Sequence, residues 1–128
     1  MSDRYALYFH IPFCEHRCAY CDFNTYAGQG ALIPAYVDAL CHEIAFVGGR
    51  LTEKAHAKTI FFGGGTPSLT SVPQFTSIFK AIRENFQIDS GAEISLEANP
   101  GTLTPGYLDG LREIGFNRIS FGVQSAHP

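Results

Sequence analysis

The residues best suited to chemistry are three cysteines in the run Cys14-Glu-His-Arg-Cys18-Ala-Tyr-Cys21. Three thiolates within eight residues can wrap one compact iron–sulfur cluster. Such clusters ordinarily take four Cys ligands, so three leave one iron with an open position. An open position is where a substrate or cofactor binds, which suits a cluster that must hand an electron to a bound molecule. Zinc competes for the same cysteines, with His10, His16 or His42 completing the set. Structural zinc sites more often come as two CxxC-like pairs, and the sequence has no second pair. A further cysteine, Cys41, falls on the apolar stripe of a helix and reads as a buried structural residue.

Gly63-Gly-Gly-Thr-Pro67 follows a strand candidate directly. Consecutive glycines let backbone approach a ligand and offer it N–H and C=O groups, although a tight strand-to-helix turn also wants glycine. The run lacks both the GK[ST] ending of a P-loop and the G-x-G-x-x-G dinucleotide spacing. Glu97 precedes the turn sequence Ala98-Asn99-Pro100-Gly101. It could accept hydrogen bonds from ribose hydroxyls or an amino group, or be a solvated rim carboxylate. Gln124 could donate and accept at the same ligand.

The elements that must position these residues alternate. Strand candidates are Leu7–Ile11, Thr59–Phe62, Glu93–Leu96 and Arg118–Phe121. Helix candidates lie between them. The first, Pro34 to Val47, carries a stripe of Val37, Leu40, Cys41, Ile44 and Val47 and stops at Gly48-Gly49. The second, Val72 to Asn85, has a capping box of Ser71 with Gln74 and a stripe of Phe75, Ile78, Phe79, Ile82 and Phe86. The third starts from Thr104 and Pro105, turns Leu108, Leu111 and Ile114 inward and ends at Gly115. Such alternation predicts right-handed βαβ units and a parallel sheet, an α/β fold. A closed eight-unit barrel takes roughly 200–250 residues, so residues 1–128 read as one domain, the N-terminal half of a barrel from a longer protein. In such barrels the chemistry sits at the C-terminal ends of the strands. The Cys loop, the glycine run, Glu97 and Gln124 occupy that end of the four predicted strands in turn.

With 45% hydrophobic residues the chain can bury a real core, and its net charge of −3 gives no basic footprint for nucleic acid. The N-terminus lacks a secretory pattern and no apolar run approaches a membrane span. A cytoplasmic address is expected, where cysteines serve as ligands or core residues rather than disulfides.

CxxxCxxC with Tyr20 before the last cysteine resembles the radical SAM superfamily signature. Tyr8-Phe-His-Ile-Pro-Phe-Cys14, Phe61-Phe-Gly-Gly-Gly-Thr-Pro-Ser68, Glu97-Ala-Asn-Pro-Gly-Thr102 and Gly115-Phe-Asn-Arg-Ile-Ser-Phe-Gly-Val-Gln124 are together similar to the oxygen-independent coproporphyrinogen III oxidase group. The resemblance implies a partial TIM-like (β/α) barrel of which this chain supplies about four βα units. It implies a [4Fe–4S] cluster on Cys14, Cys18 and Cys21, with S-adenosylmethionine (SAM) chelating the fourth iron. By position, Tyr8, Gly64, Gly65, Thr66, Glu97 and Gln124 match family residues that contact SAM, and Tyr20 matches the residue beside its adenine. In the family the reduced cluster cleaves SAM to methionine and a 5′-deoxyadenosyl radical, and the cofactor carries the chemistry.

One departure separates two branches of that group. The oxidases resemble one another in a further cysteine shortly after the triplet and in an N-terminal extension. This chain has Cys21-Asp-Phe-Asn24 and only Met1 to Ala6 before its first predicted strand. Both differences resemble the branch of haem chaperones, which bind haem as cargo and need not oxidise porphyrinogen. The implied partners are haem or a porphyrinogen, a reductant such as flavodoxin or ferredoxin, and an unidentified haem acceptor. Any membrane contact would come through that acceptor. His10 within the first strand reads as a satisfied core or supporting group rather than a haem ligand. Half a barrel leaves an unpaired edge strand and an uncovered interior face, so marginal solubility and weak SAM retention are expected.

Overall fold

A computed structural model describes residues 4–14, 26–27, 30–51 and 53–121. Cys18, Cys21, Tyr20, His16 and Gln124 therefore lie outside the described residues. The elements run β1 (Arg4–Ile11), β2 (Phe13–Cys14), β3 (Tyr26–Ala27), α1 (Ile33–Gly49), β4 (Ala55–Gly64), α2 (Val72–Asn85), β5 (Phe86–Ala98), α3 (Pro105–Ile114) and β6 (Arg118–Phe121). Four strands form one parallel sheet in the order β1-β4-β5-β6, and β2 pairs with β3 in a separate short ladder. This is the α/β half barrel that the alternation predicts.

Strand alternation sorts the sheet into two faces. Phe9, Ile11, Ile60, Phe62, Ile94 and Leu96 are buried. They point to the helix side, where Phe62 meets Phe75 edge-on at 5.1 Å and Phe75 meets Phe116 at 5.0 Å. Tyr8, His10, Phe61, Gly63, Ser95, Glu97, Arg118 and Ser120 take the other face, the barrel lumen. Registers Tyr8↔Phe61, Phe61↔Ser95 and Ser95↔Arg118 form one lumen row, with His10, Gly63, Glu97 and Ser120 a step closer to the strand ends.

Local chemistry explains most helix limits. At α2, Gln74 N–H donates to Ser71 Oγ at 3.2 Å and Ser71 N–H donates to Gln74 Oε1 at 2.8 Å, so the predicted capping box closes. At α3, Tyr107 N–H donates to Thr104 Oγ1 at 3.1 Å, and Gly115 leaves the helix with φ +131°.

Four expectations need correction. The helix α1 takes in Gly48 and Gly49 before it ends, two residues past the predicted Val47. Gly48 is where α1 and α2 approach closely, since a Cβ on it would lie 2.5 Å from Asn85 Cβ. Val47, placed on the buried stripe, is 47% exposed, while Ile33 joins Val37, Leu40 and Ile44 inside. In α3 Leu108 faces outward, because Tyr107 takes the inward position and donates its hydroxyl to Thr70 O at 2.6 Å. The strand β5 begins at Phe86, well before Glu93. Asp89-Ser90-Gly91, turn residues by composition, sit in an irregularity between the Ala57↔Ile88 and Thr59↔Glu93 pairings.

Among the described residues no helix is long and apolar enough to cross a membrane. They leave the outer edge of β1 without a strand partner, beside a cavity of about 340 Å³ toward α1.

Candidate functional site

The C-terminal ends of β1, β4 and β5 converge on the lumen side. Tyr8 Oη, Glu97 Oε1 and the Phe61 ring crowd around Gly63. A Cβ there would lie 2.8 Å from Glu97 Oε1, 2.8 Å from Phe61 and 2.9 Å from Tyr8 Oη. Only glycine leaves room for the hydroxyl and carboxylate to approach each other. Gly64 N–H donates to Glu97 Oε1 at 3.1 Å, and the Phe61 ring stacks on Tyr8 at 5.8 Å. Partial burial, and then the charge of Glu97, push the Tyr8 phenol above its ordinary value, so it stays a neutral hydroxyl.

The glycine run also fixes the base of the cysteine loop. Gly65 N–H donates to Ile11 O at 2.8 Å and Thr66 N–H donates to Phe13 O at 2.6 Å. These bonds pin the chain on either side of Pro12, immediately before Cys14. The pairing Cys14↔Ala27 brings the chain back to the same place after the loop. The amides of Gly64, Gly65 and Thr66 are thus all engaged within the protein. What this run can give a ligand comes from carbonyls, the Thr66 hydroxyl and close backbone approach, rather than from the N–H groups that glycine runs suggest.

His10 is only half satisfied, which departs from the expectation of a satisfied group. Its Nδ1 meets Tyr8 Oη at 3.3 Å, while Nε2 is enclosed and has no hydrogen-bond partner. Its ring lies against Gly64, where a Cβ would come within 2.9 Å of it. His42 is exposed on α1. Among the described residues no three His, Cys, Asp or Glu side chains are grouped to hold a metal ion.

A second layer supports the rim. Asn99 N–H donates to Ser68 Oγ at 3.3 Å, Ser68 Oγ meets Thr102 Oγ1 at 2.5 Å, and Gly101 N–H donates to Asn99 Oδ1 at 3.0 Å. The turn after β5 is thereby locked to the turn after β4. Deeper in the lumen, Arg118 Nη1 donates to Glu93 Oε1 at 2.5 Å. The sequence pattern marked Gly63 within the glycine run, but the packing of Phe61 against Tyr8 and the Ser68–Asn99–Thr102 network depend on tertiary contacts that it does not show.

The site is a parallel half barrel whose strand ends bring a polar cradle against a cysteine loop, an architecture for holding a cofactor at the rim. The radical SAM superfamily profile matches residues 8–128, and the chain belongs to that superfamily. It is 40% identical over 125 residues to the haem chaperone HemW of Escherichia coli (strain K12), covering 94% of this chain and 32% of that protein. To the oxygen-independent coproporphyrinogen III oxidase of Synechocystis sp. (strain ATCC 27184 / PCC 6803 / Kazusa) it is 38% identical over 120 residues, covering 93% and 26%. The solved structure of coproporphyrinogen III oxidase (HemN) from Escherichia coli, described as a radical SAM enzyme, matches with a TM-score of 0.87 and 38% identity, over 98% of this chain and 29% of that one. The chain thus spans less than a third of the length of these relatives.

Membership of the superfamily implies a [4Fe–4S] cluster and SAM. The residues present fit both. The cysteine loop leaves and returns at one pinned place, an orphaned imidazole nitrogen lies near its base, and a carboxylate and a hydroxyl stand on the adjoining strand ends.

Proposed function

We propose that this chain forms the cluster- and SAM-binding half of a haem chaperone, a protein that binds haem and passes it to an acceptor. The observation that carries this reading is the convergence of Tyr8, Glu97 and the glycine run beside the pinned base of the cysteine loop. Cys14, Cys18 and Cys21 would hold three irons of the cluster. Tyr8, Tyr20, Gly64, Gly65, Thr66, Glu97 and Gln124 would hold SAM. When bound, the reduced cluster supplies the electron that cleaves SAM. Glu97, already oriented by Gly64 N–H, keeps a second oxygen to receive hydrogen bonds from the ligand. Tyr8, neutral and braced by Phe61, presents a hydroxyl without adding charge.

The chaperone branch is supported by the run Cys21-Asp-Phe-Asn24 and by the relatives that carry the chaperone name. A second reading, oxidative decarboxylation of coproporphyrinogen III, is favoured by the likeness to HemN. One anaerobic experiment on the complete protein with its cluster reconstituted separates them. SAM, a low-potential reductant and coproporphyrinogen III are supplied, and decarboxylated product and 5′-deoxyadenosine are followed by mass spectrometry. The chaperone reading expects intact porphyrinogen alongside stoichiometric uptake of added haem. Substrate-dependent formation of both products would replace it with the oxidase.

A further inference from the structure

The inner wall of a (β/α) barrel is ordinarily filled by branched aliphatic side chains from the strands themselves. Here β4 presents Thr59 and Phe61 to the lumen, β5 presents Glu93 and Ser95, and β6 presents Arg118 and Ser120. None of the six is Val, Ile or Leu, and with Ile60 they line a cavity of about 280 Å³. Phe61, Ser95 and Arg118 stand side by side on three adjacent strands, since Phe61 pairs with Ser95 and Ser95 with Arg118. The small serine floors a recess between an aromatic ring and a guanidinium, whose strands are two spacings, or about 10 Å, apart. This row lies two residues, about 7 Å, below Glu97 at the rim.

Arg118 Nη1 donates to Glu93 Oε1 at 2.5 Å. Among the described residues this is the only hydrogen bond of a group with five N–H donors. Exposed ion pairs contribute at most about 1 kcal/mol, and these side chains are 65% and 45% exposed. Stability therefore does not account for two charges on an inner wall. Glu93 holds one nitrogen and fixes the plane of the guanidinium. The donors left over keep the planar fork that matches a carboxylate. On the far side of Ser95, the Phe61 ring is braced by Tyr8 at 5.8 Å and offers an apolar wall. The recess suits a ligand with a flat apolar body and an anionic arm.

We propose that Arg118, oriented by Glu93, binds a carboxylate of the cargo in the barrel lumen, with the body of the cargo against Phe61. This deepens the function proposed above and rests on it for the cargo. Haem and coproporphyrinogen III both carry propionate side chains on an apolar macrocycle, so the recognised chemistry is common to both readings. The rim residues then hold the cofactor, and the row beneath them holds the molecule presented to it.

The test compares haem with its dimethyl ester, which keeps the iron and the ring but neutralises both carboxylates. Each is titrated into the complete, cluster-loaded protein under anaerobic conditions in one detergent, and the two dissociation constants are read from absorbance. Iron ligation and ring contacts are common to both, so their ratio isolates the carboxylates. Wild type should bind haem about tenfold or more tightly than the ester. Arg118→Gln should weaken haem, leave the ester little changed and reduce the ratio to about threefold or less; a merely structural role would weaken both alike. Arg118→Lys keeps the charge without the fork and should retain only part of the ratio. Arg112→Gln, at an exposed position of α3, removes the same charge and should retain all of it. A wild type that binds neither compound would overturn the proposed function, and this inference with it. Equal binding of the two by wild type, or an undiminished ratio in Arg118→Gln, overturns this inference alone. If Arg118→Gln does not fold, Arg118→Lys decides, and an undiminished ratio there overturns the inference.

Discussion

Glu97 and Gly64 are joined by a hydrogen bond from the glycine amide to the carboxylate at 3.1 Å, which ties the end of β5 to the end of β4 across a separation of 33 residues. The bond uses one oxygen of Glu97 and orients the other. In Glu97→Gln the side chain keeps an acceptor for Gly64, so unfolding in urea should show a change within about 0.5 kcal/mol. Glu97→Ala loses the bond and should cost about 1 kcal/mol. Both variants of the complete, cluster-loaded protein should bind SAM about tenfold or more weakly by calorimetry, as expected for loss of a charged acceptor. Undiminished affinity in Glu97→Gln would remove this residue from the SAM site.

Gly63 and Gly64 are adjacent but should respond differently to alanine. At Gly63 the new methyl would meet the ends of the Tyr8 and Glu97 side chains and the edge of Phe61. Those groups can swing aside, so stability should fall by about 1 kcal/mol while SAM affinity falls much further. At Gly64 the obstacle is backbone: Ile11 O would lie 2.7 Å from the methyl, and φ is +113°. Neither can relax cheaply, so Gly64→Ala should cost about 3 kcal/mol. Equal stabilities for the two variants would contradict this division.

Much of this fold could be read from period and capping. Ser71 and Gln74 close their predicted box, the stripe of α2 is buried throughout, and β6 spans the predicted residues. These features depend on neighbours in sequence. What escaped reading depends on tertiary partners. Gly48 resembles a stop signal, yet Asn85 of α2 decides its role. Asp89-Ser90-Gly91 resembles a turn, yet pairing on both sides holds it inside a strand. At the rim, residue types marked Glu97 and the glycine run, but not that their amides are engaged, nor that His10 has a nitrogen without a partner.

The three cysteines of the loop and Cys41 should separate cleanly. Cys14→Ala, Cys18→Ala and Cys21→Ala are each expected to abolish the brown absorbance of the reconstituted cluster. Cys41 is half-buried on α1, where burial and then the Asp38 charge push its thiol above the ordinary value. A thiol kept protonated is a poor ligand. Cys41→Ala should retain the full visible spectrum, with about 1 kcal/mol of stability lost to packing. A full cluster in any of the three loop variants would remove that cysteine from the ligand set.

Alkaline pH should destabilise the protein through its phenols and its half-buried thiol. Burial raises Tyr107, and with lesser charge effects Tyr8, Tyr36 and Cys41. Each group holds its proton more tightly folded than unfolded. Stability is therefore complete below the ordinary value, 9.0 for the thiol and 10.0 for the phenols, and falls as pH rises from there toward the folded values. Urea midpoints measured from pH 8 to 11 should decline, starting near pH 9. Tyr107→Phe gives up the bond to Thr70 O, about 1 kcal/mol at neutral pH, and should decline less steeply. A parallel decline would mean that Tyr107 ionises as freely folded as unfolded.

Asn117 begins the last strand by imitating one. Its backbone N–H donates to Ile94 O at 2.8 Å, its side-chain Nδ2 donates to Ala92 O at 2.9 Å, and its Oδ1 accepts from Ile94 N–H at 2.9 Å. The side chain thus continues the ladder of β5 before β6 pairs with it, and Ser120 of β6 sits opposite Glu97. Asn117→Ala removes two part-buried bonds and leaves two backbone groups of β5 without partners, so it should cost about 2–3 kcal/mol in urea unfolding. Asn117→Asp keeps the acceptor but cannot donate to Ala92 O, and should cost about half as much or more, depending on how well the added charge is solvated. If the side chain only filled space, Asn117→Leu would restore stability, whereas the ladder role requires Leu to be at least as damaging as Ala. Because the bonds hold the register of β6 against β5, Asn117→Ala should also weaken SAM binding without touching the ligand, an effect that calorimetry on the cluster-loaded protein would detect.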